Sequence, residues 1–557
     1  MFKKLGKIKY RIKKNKVYIK LDQIKFGVNY IDDFIIYQNK KMITIYDRIC
    51  DHNGGKLISK NNKTFCPMHN WEFQPENGSY TNGLKKKSKK FKIVNDIINI
   101  SQEDFEPIIY DTNKVINFQI KYINHACIIV KSKKFKFATD PWTLGPAFNT
   151  GWWLKHKSTK NWKEELNSCD FIYISHNHPD HCHELTLSNL NKDIPIIVPK
   201  FNSDSTGILI EDLGFKKIYR MDFENQYQFN NSDLVFTLLK SGDLREDSGM
   251  YFSIGKFKSL LTVDSNNINF LRLPKIDLLA SSFAGGAHGY PLNCENYSLK
   301  DRIKMTLTEK NFAKKTKIKY LRQIKPKYFM PYAGFFTEKL KRDKIYIKYN
   351  LKNKTDDFYD ICNKLSIKIL DPEQNDIFKF KGKKLIEQSK NKEDKFLDLN
   401  EKLYLKYYKL RYDKIDLSYI KEYFLNSNFH DNSNLFISVT DENFVYSYLD
   451  FKITFLKKIK FRILKKNLDK ELKESNNYLY LKIRKESFLN TIYNKKSWED
   501  ISIGFQNKQY RKPNTYNNKF WFHFSNNYVA KKHVKSLTDC SSCVSLKEDI
   551  QNLLYNN

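Results

Sequence analysis

The rhythm of hydrophobic and polar positions changes twice along the 557 residues. Up to about residue 106, short alternating runs separated by turns predict β-strands. From about residue 116 to 370 the apolar runs become short and continuous, as at 171–174, 260–263, 276–280 and 328–330, and each is followed at once by polar residues or Gly. Lying between helical stretches, they predict strands buried on both faces in an α/β layer architecture. From about residue 371 a charged, linker-like stretch leads into mixed strands and helices with few Gly. The expected fold class is multidomain α+β, with an all-β domain over 1–110, a layered domain over 116–370 and an α+β region over 371–557 whose role no pattern reveals.

Composition narrows the function classes. A hydrophobic share of 41% with 15% aromatic residues excludes a disordered chain. No run approaches the roughly 18 apolar residues that span a bilayer. The basic segment 1–20 lacks the apolar core of a secretory signal, so a cytoplasmic protein without a membrane span is expected. The net charge of +36 accompanies a chain-wide enrichment in Lys, Asn, Ile, Tyr and Phe. No recognition motif comes with it, so nucleic acid is not an expected partner, while an anionic substrate or an acidic redox carrier suits such a surface. The Lys-rich stretches 85–92 and 339–354 read as solvated. The nine Cys are not spaced as a disulfide framework.

Two groups of residues carry chemistry. Cys50 and His52 stand in C-x-H, Cys66 and His69 in C-x-x-H. Two thiols and two imidazoles, each pair on its own tight loop, make a four-ligand metal site. The mixed order resembles the Rieske pattern, where two thiolates hold one iron of a [2Fe–2S] cluster and two imidazoles the other, raising its potential to suit a one-electron relay. A small zinc ribbon is the plainer alternative.

The second group follows a predicted strand: His176, His178, Asp180 and His181 in H-x-H-x-D-H. This resembles the metallo-β-lactamase superfamily, an αββα sandwich with metals at one edge of its sheets. The resemblance gives His176 and His178 to one metal, Asp180 and His181 to a second, and Asp264 to the bridge; Asn124-His125-Ala126 and Thr139-Asp140-Pro141-Trp142 resemble early strands of the same superfamily. Two ligands of the hydrolytic members are missing. Residues 241–247 contain no His, and Ala333 stands where the last His belongs. What remains, His176 and His178 with a carboxylate such as Asp264, is close to the two-His-one-carboxylate iron triad, and Asp180 with His181 suits a second iron. His288 is a candidate either for a vacant position or for a supporting or core role; His183 reads as solvated.

Both groups occur together with Asp140-Pro141-Trp142-Thr143-Leu144-Gly145-Pro146, Phe283-Ala284-Gly285-Gly286, Pro331-Tyr332-Ala333-Gly334-Phe335-Phe336, Trp498-Glu499-Asp500 and Ile503-Gly504-Phe505-Gln506. In this combination the chain resembles the CMP-N-acetylneuraminate hydroxylase family. The resemblance implies a Rieske-dependent non-haem iron monooxygenase that converts the N-acetyl group of a CMP-linked sialic acid into N-glycolyl. It implies a [2Fe–2S] cluster on Cys50, His52, Cys66 and His69, and one or two irons on His176, His178, Asp180, His181 and Asp264. Electrons would come from NAD(P)H through a cytochrome b5-type or ferredoxin-type carrier and its reductase. The competing readings are a phosphodiesterase-like hydrolase with a redox-sensing Rieske domain and a non-catalytic electron carrier. Among smaller features, Cys540 and Cys543 have C-x-x-C spacing. Cys127, Cys169 and Cys362 read as core residues. Trp152 and Trp153 read as one core and one surface residue, or as a stacking platform. Arg302, Arg322 and Arg511 are candidates to grip a phosphate or carboxylate.

Overall fold

The computed structural model describes residues 1–531 apart from 52–56, 61, 67–70, 82, 242–245, 266, 267, 269–272, 391–398, 465, 466 and 527. At its centre two eight-stranded sheets face each other. One runs, in spatial order, Phe2–Lys7, Asn225–Phe229, Leu234–Lys240, Ser248–Ile254, Phe257–Val263, Leu278–Ser281, Tyr328–Pro331 and Lys368–Ile369. The other runs Ile218–Met221, Ile196–Pro199, Phe171–Tyr173, Lys136–Thr139, Cys127–Ser132, Asn117–Asn124, Ile377–Lys381 and Lys384–Ser389. Each sheet joins an antiparallel half to a parallel half.

The continuous apolar runs are explained by this layering. In the strand Phe171–Tyr173, Phe171 and Tyr173 point into the core between the sheets, while Ile172 packs on the other face with Trp162, Leu166, Leu187 and Ile210 of three helices. A strand covered on both faces has no polar side to alternate with. The Leu299–Ile324 helix lies against the other sheet through Tyr320 and Leu321. Its Ser298 hydroxyl accepts from the Asp301 N–H, which caps the helix start.

The expected boundaries differ from the pairing at both ends of the sandwich. Phe2–Lys7, expected within 1–110, pairs with Asn225–Phe229 in register Phe2↔Phe229. The Phe2 ring packs among Phe171, Tyr219, Phe229 and Phe236. Ile377–Lys381 and Lys384–Ser389, expected in the last segment, extend the second sheet beyond Asn117–Asn124.

The first segment otherwise forms two three-stranded sheets and one of four short strands. The charge run 85–92 is not wholly solvated, for Lys86 is 4% exposed. Its ammonium lies 2.7 Å from Asp47 and 3.3 Å from Asp51, and donates to the Ile49 carbonyl at 2.6 Å. The last segment is a five-stranded sheet, in order Lys460–Ile463, Ser447–Phe455, Ser433–Thr440, Tyr478–Arg484 and Asn507–Lys512, with helices packed on it. Among the described residues no helix is long and apolar enough to cross a membrane.

The last unit is docked closely on the sandwich. The Trp152 indole donates to the Ile503 carbonyl at 3.1 Å, the Gly289 N–H to the Ser502 carbonyl at 3.0 Å, and Arg484 pairs with the buried Asp343 at 2.7 Å. The backbones of Gly151 and Gly504 are in direct apposition, leaving no room for a Cβ on either. Trp152 and Trp153 are both buried rather than divided between core and surface, because Trp152 stacks on Phe336 beneath this interface.

Candidate metal centre

The strand Phe171–Tyr173 ends where the chain turns across the edge of its sheet, and the next eight residues present His176, His178, Asp180 and His181 to one buried space. Asp264 arrives from the facing sheet, directly after Phe257–Val263. Val263 has φ 51°, a left-handed backbone that β-branched residues rarely adopt. Such strain persists where the surroundings over-determine it, and here it turns the chain out of the strand just before the carboxylate.

Three groups of side chains place their ligand atoms within 4.8 Å of one another: His176, His178 and Asp247; His176, His181 and Asp264; His125, Asp180 and His181. All five expected residues are therefore brought together. Their partition differs in one respect. The carboxylate that joins His176 and His178 is Asp247, 3.9 Å from His176 Nε2, while Asp264 sits 3.5 Å from His181 Nε2. Asp247 occupies the stretch where a His was sought, and its acidic side chain was the available signal. His125 was also missed as a site residue; its Nε2 lies 3.1 Å from Asp180 Oδ2.

Asp140 organises the group from behind. Its carboxylate accepts from the Ser175 N–H at 2.7 Å and from the Ser175 hydroxyl at 2.8 Å, and lies 3.1 Å from His181 Nδ1. Ser175 Oγ in turn lies 2.9 Å from His176 Nδ1. Each outer ring nitrogen is thus tied to a polar partner, which leaves Nε2 of both rings facing the shared space. His178 is oriented the other way: its Nδ1 is 2.9 Å from His176 Nε2, and its Nε2 is 3.4 Å from Glu499 of the last unit.

The electrostatics suit a cation. Burial, with the neighbouring His181 and His178, holds His176 well below the usual imidazole range, so its lone pair is available. Burial is the largest influence on His178 and opposes its charge, but the hydrogen bond to Glu499 and the negative charges of Asp247, Glu499 and Asp180 together carry this ring up to about 9. Burial works against ionising Asp180 and Asp264, yet His181 and the other imidazoles keep both below the ordinary carboxylate range. Asp180 Oδ1 is buried without a hydrogen-bond partner among the described residues. Imidazoles and ionised carboxylates, with two ring nitrogens 2.9 Å apart and an orphaned carboxylate oxygen, fit a site for one or two iron or zinc ions.

His183 is buried, not solvated; its ring accepts from the Thr186 N–H and caps the helix Glu184–Ser188. His288 stands outside all three groups, with its side chain 45% exposed. Ala333, in the place of the last hydrolase His, donates its N–H to the His125 carbonyl at 2.9 Å. Arg302 is engaged with the Leu292 carbonyl, Arg511 with Asn514 and the Tyr290 ring, and Arg322 is exposed. Cys127, Cys169 and Cys362 are buried. In the first unit Cys50 and Cys66 are wholly buried in one apolar cluster with Ile35, Tyr46, Leu57, Phe73 and Tyr80. The Cys66 N–H donates to the Trp71 carbonyl at 2.8 Å, and the Asp51 N–H to the Tyr80 hydroxyl at 3.1 Å. Two thiols enclosed in this way suit a cluster shielded from water. His52, His69, Cys540 and Cys543 lie outside the described residues.

Residues 14–94 match the Rieske [2Fe-2S] domain, and residues 119–244 match the beta-lactamase superfamily domain. The cytidine monophosphate-N-acetylneuraminic acid hydroxylase of Gorilla gorilla gorilla is 28% identical over 569 residues, covering 91% of this chain and 90% of that protein. The protein of the same name from Xenopus laevis is 28% identical over 561 residues, covering 90% and 91%. The chain is a relative of the CMP-N-acetylneuraminic acid hydroxylases. This likeness runs through all three segments, so the hydroxylase relatives share the last unit as well as the two metal-bearing ones. Among solved structures, the isothiocyanate hydrolase from Delia radicum gut bacteria aligns with a TM-score of 0.32 at 15% identity, over 47% of this chain and 99% of that one. CmlA, a diiron beta-hydroxylase from Streptomyces venezuelae, aligns with a TM-score of 0.30 at 15% identity, over 50% and 55%.

Proposed function

We propose that this chain is a Rieske-dependent non-haem iron monooxygenase that hydroxylates the N-acetyl methyl of a CMP-activated sialic acid, converting CMP-N-acetylneuraminate into CMP-N-glycolylneuraminate. The observation that carries the reading is the union, in one chain with hydroxylase relatives along nine-tenths of its length, of a Rieske-type domain and a buried cluster of imidazoles and carboxylates. Cys50, His52, Cys66 and His69 would hold the [2Fe–2S] cluster. His176, His178 and Asp247 would hold one iron and Asp180 and His181 the other, with Asp264, which is grouped with His176 and His181, as a further ligand. When bound, the cluster passes electrons singly and the non-haem iron supplies reactivity towards O2.

The protein's part is to hold, orient and dry the site. Asp140 fixes the proton on His181 Nδ1 and, through Ser175, the ring of His176. His125 steadies Asp180. Trp142 against His125 and Phe148 against His178 wall the cluster with aromatic edges, which keeps water from a reactive centre. The overall balance is one methyl C–H and O2 with two electrons and two protons, giving the alcohol and water. The electrons come from a separate cytochrome b5-type or ferredoxin-type carrier, to which a basic surface is complementary, and the protein works in the cytoplasm.

The test is incubation of the reconstituted enzyme with CMP-N-acetylneuraminate, labelled dioxygen and a reduced carrier. A product carrying one labelled oxygen on the acyl group is expected. Release of CMP in the absence of O2, with no oxygenated product, would overturn the reading in favour of a hydrolase.

A further inference from the structure

Each of the three clustered imidazoles has an outer ring nitrogen turned away from the shared space. For His176 the outer partner is Ser175 and for His181 it is Asp140, both on the same domain as the rings. For His178 the nearest acceptor is Glu499 Oε2 at 3.4 Å, 321 residues further along and in a different unit. Glu499 opens the short helix Glu499–Ile503, and its own backbone is fixed: its N–H meets the hydroxyls of Ser497 and Ser525 at 3.3 and 3.2 Å. The same helix carries the carbonyls of Ser502 and Ile503 that receive Gly289 and Trp152.

We infer that Glu499 is a positioning residue of the metal centre: the C-terminal unit supplies the carboxylate that accepts the His178 Nε2–H, so that Nδ1 is the nitrogen that gives up its proton and faces the metal. This assignment rests on the reading above that His178 is a ligand, and gives the last unit a definite task. Metal affinity then depends on how that unit is docked. A carboxylate on the far nitrogen of a ligating imidazole fixes the tautomer and raises its basicity, and losing such a partner costs about 10- to 100-fold in affinity or activity. The Glu499 side chain is 35% exposed and the contact is long, which places the effect near the lower figure.

The experiment uses the full chain with its cluster intact and cobalt(II) as the probe, counted by elemental analysis after anaerobic equilibrium dialysis, so that cluster iron is not mistaken for bound probe. Glu499→Ala is expected to raise the cobalt dissociation constant about tenfold, with the Rieske electron paramagnetic resonance signal unchanged. Glu499→Gln keeps an accepting oxygen at the same reach and should lose less than about threefold. Lys496→Met is the control for docking: Lys496 pairs with Glu184 across the same interface and does not touch His178. Unchanged affinity in Glu499→Ala, or an equal loss in Lys496→Met with wild-type melting, would overturn the inference. A wild-type chain that retains no cobalt would overturn the metal reading of these histidines itself.

Discussion

A tight backbone contact between the last unit and the sandwich offers a sharp perturbation, Gly151→Ala. A Cβ at position 151 would stand 2.6 Å from both the carbonyl carbon and the Cα of Gly504, with the Gly504 oxygen nearer still. Carbon atoms settle at about 3.5 Å or more, so the two backbones must part by at least about 0.9 Å. Neither side can yield by rotating a side chain, because the clash is with main chain. Strain of this kind in a packed interior costs about 1–3 kcal/mol, and about 2 kcal/mol is nearly thirtyfold in any equilibrium that needs the docked arrangement. Glu499 lies five residues before Gly504 on the segment that must move. Its 3.4 Å contact with His178 is at the long limit of a hydrogen bond and would open to beyond 4 Å. The variant should therefore melt earlier by differential scanning calorimetry and retain less metal at the second centre, while the Rieske spectrum stays intact. A variant with wild-type melting and wild-type metal content would refute the reasoning that this contact is tight and that it holds Glu499 in place.

Other outcomes follow from single residues. Lys86→Met removes the cation that the buried Asp47 and Asp51 share beside Cys50 and leaves Lys89 on Asp47, a loss of at most about 3–5 kcal/mol, and should lower the cluster content read from visible absorption of the purified protein. Asp247→Asn removes the anionic member of its group and should weaken second-centre metal binding at least about tenfold by equilibrium dialysis, whereas the cluster signal persists. Burial lowers Lys317 to about 8, so between that pH and 10.5 the unfolded chain binds a proton that the folded one does not, and stability rises with pH. Lys317→Met should stabilise the metal-free protein by about 3 kcal/mol at pH 7 in denaturant melts, with the gain fading towards pH 10.5.

The parts legible in the sequence are those whose partners are close along the chain. His176, His178, Asp180 and His181 share one loop, so spacing alone announces them, and the buried strands show as continuous apolar runs. Asp264 was legible only through the resemblance to the metallo-β-lactamase superfamily, which implies a bridging Asp at a strand end. Asp247 offered only its acidic side chain as a signal, and in a polar stretch where the superfamily has an imidazole that does not set it apart from Asp243 and Glu246. Asp140 stands in a quoted motif, but its task comes from the parallel register Thr139↔Tyr173, which sets it beside Ser175. Glu499 and the strand Phe2–Lys7 depend on contacts across 321 and more than 200 residues, set by three-dimensional packing and not by any local pattern. Lys86 belongs with them: a lysine in a basic run looks solvated until Asp47 and Asp51 are folded around it.

A chain that carries both a Rieske cluster and a separate non-haem iron centre is tested most directly by the count of iron and zinc per chain on anaerobically purified protein, with an electron paramagnetic resonance spectrum after reduction. A Rieske signal is expected together with iron in excess of the two atoms of the cluster, the excess disappearing in His176→Ala while the signal remains. Cluster iron alone, or zinc in place of the excess iron, would contradict the two-centre reading.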